Sequence, residues 1–228
     1  MSTTLLCIGL TLAAYAGVRA LYLRYRHPLL NVVALGAGLV IAALLALHIP
    51  YADYVPAQKI MTALLGPATV GLAVPLYRYR SLLLRAAPAI LGSVALGAVL
   101  AMLSAGGIAK LGGLPQDVVV SILPKGVSIP FAVEIAQIYH GIPALAAAFV
   151  VATGTLGSLF GGWLLTLARV RDPMARGLAL GTVSHGQGTA TALMEGEQQG
   201  AMAGLAMILA GICTAGFAPL AVLLLGLG

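Results

Sequence analysis

The sequence predicts an all-α membrane protein of about eight hydrophobic segments. Three observations carry that reading: a composition too apolar for a soluble core, apolar runs of spanning length, and basic residues gathered in short connections. Of 228 residues, 61% are hydrophobic and 8% are charged, and the mean hydropathy is +1.04. A water-soluble domain carries roughly a quarter charged residues, so lipid is the solvent in which this chain hides its surface. The net charge of +6 and pI of 9.6 do not indicate a nucleic-acid partner, because no basic patch is interleaved with aromatic side chains for stacking.

Each segment is judged against the about 20 apolar residues that cross about 30 Å of hydrocarbon. The segments run over 5–23, 29–49, 60–77, 82–105, 118–137, 142–168, 174–194 and 200–227. The connections are short, with no linker or soluble insert, so 1–228 reads as a single integral membrane domain. The first segment has no basic residue before Leu5 and is followed by Arg19, Arg24 and Arg26. It therefore reads as a retained anchor rather than a cleaved signal peptide. Cys7 and Cys213 both fall in apolar runs and read as packing residues. His27, His48 and His140 fall at segment ends.

Charge placement sets the expected topology, because Lys and Arg in short loops mark the cytoplasmic side. The basic groups are Arg19, Arg24, Arg26; Arg78, Arg80, Arg85; and Arg169, Arg171, Arg176. Placing all three in the cytoplasm puts the N-terminus outside. Three segments separate the second group from the third, an odd number that would strand the last arginines across the membrane. One of them should turn back, and 118–137 is the candidate. It holds Pro124, Gly126 and Pro130, which interrupt the helical hydrogen-bond ladder.

Three segments combine Gly or Pro with hydroxyl or ionisable residues near their middles. They are Leu65–Gly71 with Gly66, Pro67, Thr69 and Gly71; Leu123–Pro130 with Pro124, Lys125, Gly126, Ser128 and Pro130; and Gly181–Thr189 with Ser184, His185, Gly186 and Gly188. Interrupted segments of this kind line transporter sites. The plainer reading is close helix packing, the role assigned to Gly154, Gly157, Gly161 and Gly162. Segments three and five share a Leu-x-Pro or Leu-Pro opening and a second Pro, which suggests an internal repeat of undetermined orientation.

The strings Leu65–Tyr77 (LGPATVGLAVPLY), Leu123–Pro130 (LPKGVSIP) and Ala175–Ala190 (ARGLALGTVSHGQGTA) closely resemble the LrgB/CidB membrane protein family, and the resemblance covers essentially the whole chain. It implies one of two functions. Bacterial members have been described as antiholin-like regulators of murein hydrolase export and lysis. The plastid relative is a glycolate/glycerate transporter, and some bacterial members are associated with pyruvate uptake. The resemblance also implies a separate small LrgA/CidA-like membrane partner and an inner-membrane location. The family pattern would carry Ser or a similar residue at Gly126 and Ile at Gln187.

The expected function is transport of small monocarboxylates (glycolate, glycerate, lactate or pyruvate) by alternating access. The alternative is a holin/antiholin-like regulator. A homodimer is expected, with no cofactor, no metal and no nucleic acid. The candidate substrate-binding residues are Thr69, Lys125, Ser128, Ser184, His185 and Thr189. Lys125 would anchor a carboxylate, against the alternative that it pairs with Glu134. Glu134 and His185 are candidates for proton coupling, against structural roles. Glu195 and Glu197 read as solvated. An enzyme is disfavoured: Ser184 and His185 are adjacent and point about 100° apart on a helix, Thr182 stands where a Gly-x-Ser-x-Gly elbow needs glycine, and no metal-ligand spacing occurs.

Overall fold

The computed structural model describes residues 2–25, 32–64, 67, 70 and 73–227, and every regular element among them is helical. The chain divides into two compact units, Met1–Val74 and Pro75–Gly228. Four helices among the described residues are long and apolar enough to cross a membrane: Thr3–Tyr25, Arg80–Leu111, Pro143–Leu167 and Glu197–Leu224.

The first unit is built from α1 (Ser2–Tyr25), α2 (Val32–Ala46) and α3 (Tyr51–Ala63). α1 packs on both of the others. Cys7 lies buried against Val40, Leu44 and Ala57, as a packing residue would, while Cys213 in the second unit is only half-buried. Thr11 Oγ1 donates to the Cys7 carbonyl at 2.8 Å. The segment expected over 60–77 is not one helix. α3 begins at Tyr51 and ends at Ala63, and a short α4 (Ala73–Arg78) follows. Gly66, Thr69 and Gly71 lie outside the described residues, and Pro67 is exposed.

The second unit holds α5 (Arg80–Leu111), α6 (Gln116–Ile122), α7 (Ile129–Ile138), α8 (Pro143–Leu167), α9 (Pro173–Glu195) and α10 (Glu197–Leu224). Gly113, with φ 72°, closes α5 as glycine does past a helix end. Asp172 caps α9 by accepting from Ala175 N at 2.8 Å, with Pro173 next, an arrangement that satisfies one free donor and presets the first turn. At one end of the unit Arg78 reaches Glu197 at 2.8 Å. At the other, Lys110 Nζ donates to the Leu225 carbonyl and Gln116 Nε2 to the Leu227 carbonyl. α5 and α10 therefore run in the same direction. α8 runs against them: Ile142 N, just before it, donates to Ser121 Oγ of α6, the helix that follows the Lys110 end, at 2.7 Å, and Gly162 near its other end accepts from Arg176.

Segment 174–194 was expected to cross, and it does not continue straight. Nineteen residues of helix would separate Arg176 and Glu195 by about 28 Å, yet their side chains meet at 2.7 Å. The reversal occurs at His185, whose φ of 41° and ψ of −128° leave the helical region. α9 is thus two antiparallel half-helices, with both ends at the arginine end of the unit. Segment 118–137 also reverses, between α6 and α7. Tyr139 packs against the cluster that contains Val119 and Val120, and Gly141 lies so close to Val120 and Ser121 that an added Cβ would stand 2.9 Å from Val120 Cγ1. This hairpin has both ends at the opposite, Lys110 end.

The interior is made of small residues. Ala201, Ala203, Ala206, Ala210 and Ala218 of α10 are fully buried, whereas Ile108, Leu111 and Leu223 are outward and highly exposed. Large apolar side chains facing out over small ones packed within is the pattern of helices whose solvent is hydrocarbon.

Candidate functional site

The two hairpins meet near the middle of the second unit. The tip of the first, Leu123–Ser128, is held by turn bonds from Lys125 N to Ile122 O and from Val127 N to Pro124 O, both 3.2 Å. Ser128 is extended (φ −68°, ψ 153°) at the start of α7, its side chain makes no capping bond, and Pro130 lies in the first turn, where a missing N–H costs nothing. A Cβ built on Gly126 would stand 3.5 Å from the Thr182 carbonyl oxygen and 3.6 Å from that of Val183. The tips are therefore in contact, and a Cβ at position 126 would sit at ordinary contact distance from both carbonyls.

The second tip lies about halfway along its neighbours. Thr182 Cγ2 would be 3.2 Å from a Cβ on Gly97, in the middle of α5, and His185 would be 2.6 Å from one on Gly154 of α8. His185 is buried, and its Nε2 lies 3.0 Å from the Val150 carbonyl. A carbonyl only accepts, so Nε2 carries the hydrogen and that donor is already committed. Thr189 Oγ1 donates to the His185 carbonyl at 2.9 Å and Thr182 Oγ1 to the Leu178 carbonyl at 2.7 Å. Both are threonine back-bonds to their own chain, the ordinary use of a hydroxyl in a membrane helix. Ser184 is buried against Gly157.

Lys125 is half-buried at the first tip. Among the described residues its ammonium has no ion pair and no hydrogen-bond partner. Glu134 is exposed on α7 and is not within ion-pair distance. The Lys125–Glu134 pair weighed from sequence is therefore not formed.

The base of the second hairpin is joined by a residue that the charge pattern assigns only to topology. Arg176 donates through Nε and Nη2 to both oxygens of Glu195, each at 2.7 Å, through Nη1 to Val170 O (2.9 Å) and Thr166 Oγ1 (3.2 Å), and through Nη2 to Gly162 O (3.0 Å). The two side chains are 13% and 19% exposed. Glu195, read as solvated, is instead the inner half of a bidentate pair, while the Arg78–Glu197 pair is exposed at 65% and 48%. The sequence signal was present in outline, as an Arg and a Glu at the two ends of one glycine-rich segment. It becomes readable only when that segment is known to fold back.

The glycines divide by role. An added Cβ on Gly157 would collide with Ser184, on Gly161 with Leu180 at 2.7 Å, and on Gly162 with Glu195 at 2.9 Å. With Gly154 they form the face of α8 on which the second hairpin lies. Gly188 is close-packed against Leu180 and Ser184 rather than being the breaking residue, and a Cβ on Gly186 would touch only Met207 Sδ, at 4.0 Å. The break assigned to these glycines falls on His185. Among the described residues no three His, Cys, Asp or Glu side chains gather to hold a metal ion.

Comparison with known proteins identifies the family. A family model described as the LrgB-like family matches residues 11–224. The chain belongs to the LrgB-like family. Among LrgB-like relatives, the uncharacterised protein YxaC of Bacillus subtilis (strain 168) is 36% identical over 218 residues, covering 96% of this chain and 95% of that one. The holin-like protein CidB of Staphylococcus epidermidis is 30% identical over 219 residues, covering 96% of each, and CidB of Staphylococcus aureus is 30% identical over 220 residues, again covering 96% of each. No solved structure matches. Two departures from the expected LrgB pattern are accommodated locally. A Cβ on Gly126 would meet the facing carbonyls at ordinary contact distance, and Gln187 Oε1 accepts from Thr155 Oγ1 at 3.1 Å.

Proposed function

We propose that this LrgB-like protein carries small organic anions, monocarboxylates of the glycolate, glycerate, lactate or pyruvate class, across the cytoplasmic membrane through the point where the two hairpin tips touch. One observation carries the reading: half-buried Lys125, without an acid partner among the described residues, is the chain neighbour of Gly126, the residue at which the tips touch. An ammonium at mid-bilayer costs about 2.5–3.5 kcal/mol or more, so its retention calls for a compensating anion or a wet cavity. The hairpins also bring two half-helix N-termini, those of α7 and of the stretch after His185, to the same depth, where their partial positive charge favours a carboxylate.

In this reading both hairpins are re-entrant, the arginine end of the second unit is cytoplasmic, and α5 with its hairpin and α8 with its hairpin are inverted copies. The Val-Ser pair recurs at the two tips, as Val127-Ser128 and Val183-Ser184. That repeat replaces the pairing of segments three and five suggested by their prolines. Ser128 and Ser184 serve as hydroxyl contacts to the acid. Proton coupling through Glu134 or His185, a homodimer and a separate LrgA/CidA-like partner remain part of the proposal.

A second reading is favoured by the relatives' names. CidB proteins are called holin-like, and those names weigh toward a holin/antiholin-like regulator of lysis more than toward any substrate. Uptake of labelled glycolate or pyruvate by proteoliposomes containing this protein alone separates the two. Saturable uptake lost in Lys125→Ala supports transport. Absence of uptake, with leakage of larger solutes dependent on protein density, supports the holin-like reading.

A further inference from the structure

Most buried polar side chains of the second unit are satisfied within it. Ser121 donates to the Asp117 carbonyl, Ser158 to that of Thr155, Thr182 and Thr189 to carbonyls four residues back, and His185 to that of Val150. Two buried hydroxyls make no hydrogen bond among the described residues, those of Ser184 and Thr214. Ser184 sits at the second tip, but Thr214 of α10 lies in none of the three interrupted segments. A hydroxyl taken out of water without a partner is costly. A helical threonine has a ready remedy in the carbonyl one turn back, and Thr11, Thr166 and Thr191 use it, at 2.8, 2.9 and 3.2 Å. Thr214 does not, although valine would fill the same volume without the cost. Nor is its oxygen sealed: among the described residues no enclosed side-chain nitrogen or oxygen lacks a partner, so the 3% of Thr214 left exposed includes its hydroxyl.

The packing of α10 places this hydroxyl beside the first hairpin tip. Gly211, Thr214, Ala218 and Ala221 recur at helical spacing and share one face. At one end of that face Gly211 abuts the Phe131 ring, 2.9 Å from an added Cβ. At the other, Ala221 belongs to the cluster that contains Leu123, whose side chain converges with that of Leu225 on Gly106. The chain between Leu123 and Phe131 carries Lys125 and Ser128, and it runs alongside the stretch of α10 that holds Thr214.

We propose that Thr214 determines the specificity of the anion site: its hydroxyl contacts the oxygen on the carbon next to the carboxylate, while the Lys125 ammonium takes the carboxylate itself. The proposal rests on the transport reading of the same site. A hydroxyl both donates and accepts, so it serves a 2-hydroxy acid and a 2-keto acid alike. An acid with only hydrogens on that carbon leaves it unpaired. A site whose polar group is stranded by the wrong ligand discriminates more sharply than one that merely encloses the ligand.

The test sets lactate against propionate, acids of equal length that differ only in the 2-hydroxyl, as competitors of labelled glycolate uptake by proteoliposomes containing the full chain. The wild-type protein should prefer lactate by about 10-fold, the worth of one hydrogen bond. Thr214→Val should bring the two acids to within about twofold, and Thr214→Ser should keep the preference. A second arm needs no substrate. In a Cys7→Ala, Cys213→Ala background, Thr214→Cys should react with aminoethyl methanethiosulfonate, read by intact mass, because a thiol ionises only where water reaches it. Ala218→Cys, one turn on and fully buried, should not react. A lactate preference unchanged in a Thr214→Val protein that still takes up glycolate overturns the assignment, as does a Thr214→Cys thiol no more reactive than that of Ala218→Cys. Uptake lost in Thr214→Val and regained with its preference in Thr214→Ser supports it. A wild-type protein that takes up no acid removes the monocarboxylate reading instead, and the thiol arm then decides alone whether Thr214 opens on a wet site.

Discussion

At the scale of single residues, the sequence offers Lys125 two partners, a substrate carboxylate and Glu134. The geometry removes the second, and the consequence is measurable. Lys125→Ala should leave the folded protein at its wild-type melting temperature or above, since a half-buried ammonium with no acid partner stabilises nothing. Uptake should fall by about 10- to 100-fold, the loss of one hydrogen bond to a charged group. Glu134→Ala should change stability little, and the double variant should be additive within about 0.5 kcal/mol. A coupling well above that in a thermal-shift cycle would show a pair that the structure does not contain. Position 126 offers a steric test of the tip contact. Gly126→Ala adds a carbon at ordinary contact distance from the Thr182 and Val183 carbonyls and should be nearly neutral. Gly126→Leu must displace those carbonyls and should cost about 1–3 kcal/mol, the range for overpacking, read as a lower midpoint in detergent-resistant unfolding.

At the scale of elements, what was legible depended on whether a residue's meaning is local. The Pro124-Gly126-Pro130 run announced a break because proline and glycine act on their own backbone. The sequence points to Gly186 and Gly188 as the break in α9 because they stand beside Ser184 and His185 near the middle of the segment. It falls on His185 because Gly188 is needed for close packing and the His185 ring is held by the Val150 carbonyl, a contact thirty-five residues distant that no local pattern announces. The Arg176–Glu195 clasp was unreadable for the same reason: on an unbroken helix these residues could not meet. The clasp predicts its own energetics. Arg176→Ala and Glu195→Ala should each destabilise by about 1.5–3 kcal/mol, the figure for hydrogen bonds to charged groups, and a double-mutant cycle should return a large part of one single loss as coupling. Gly157→Ala should be at least as damaging, because its Cβ meets Ser184 in the groove. If both clasp variants melt with the wild type, the second hairpin is not held as described.

At the scale of the molecule, the charge pattern demanded an even number of crossings between the second and third arginine groups, and the second unit shows how the chain achieves it. α5 and α8 run in opposite directions with a returning hairpin between them, and a second returning hairpin precedes α10. The prediction is one of sidedness, tested in intact cells with a membrane-impermeant thiol reagent on single cysteines in a background lacking Cys7 and Cys213. Ser81→Cys, Arg171→Cys and Gln198→Cys should react only after the membrane is opened, while Gly112→Cys and His140→Cys should react from outside. Each hairpin is bracketed by two of these positions, Gly112 with His140 and Arg171 with Gln198, so each turn is tested separately. If 116–138 crossed, His140 would be labelled from the side opposite Gly112. If 173–195 crossed, Gln198 would part company with Arg171. Arg24→Cys carries the question to the first unit, where an N-terminus outside requires labelling from the cytoplasm. Its reaction from outside would reverse the orientation of α1 while leaving the two hairpin tests intact, because each hairpin is judged only against its own flanking helices.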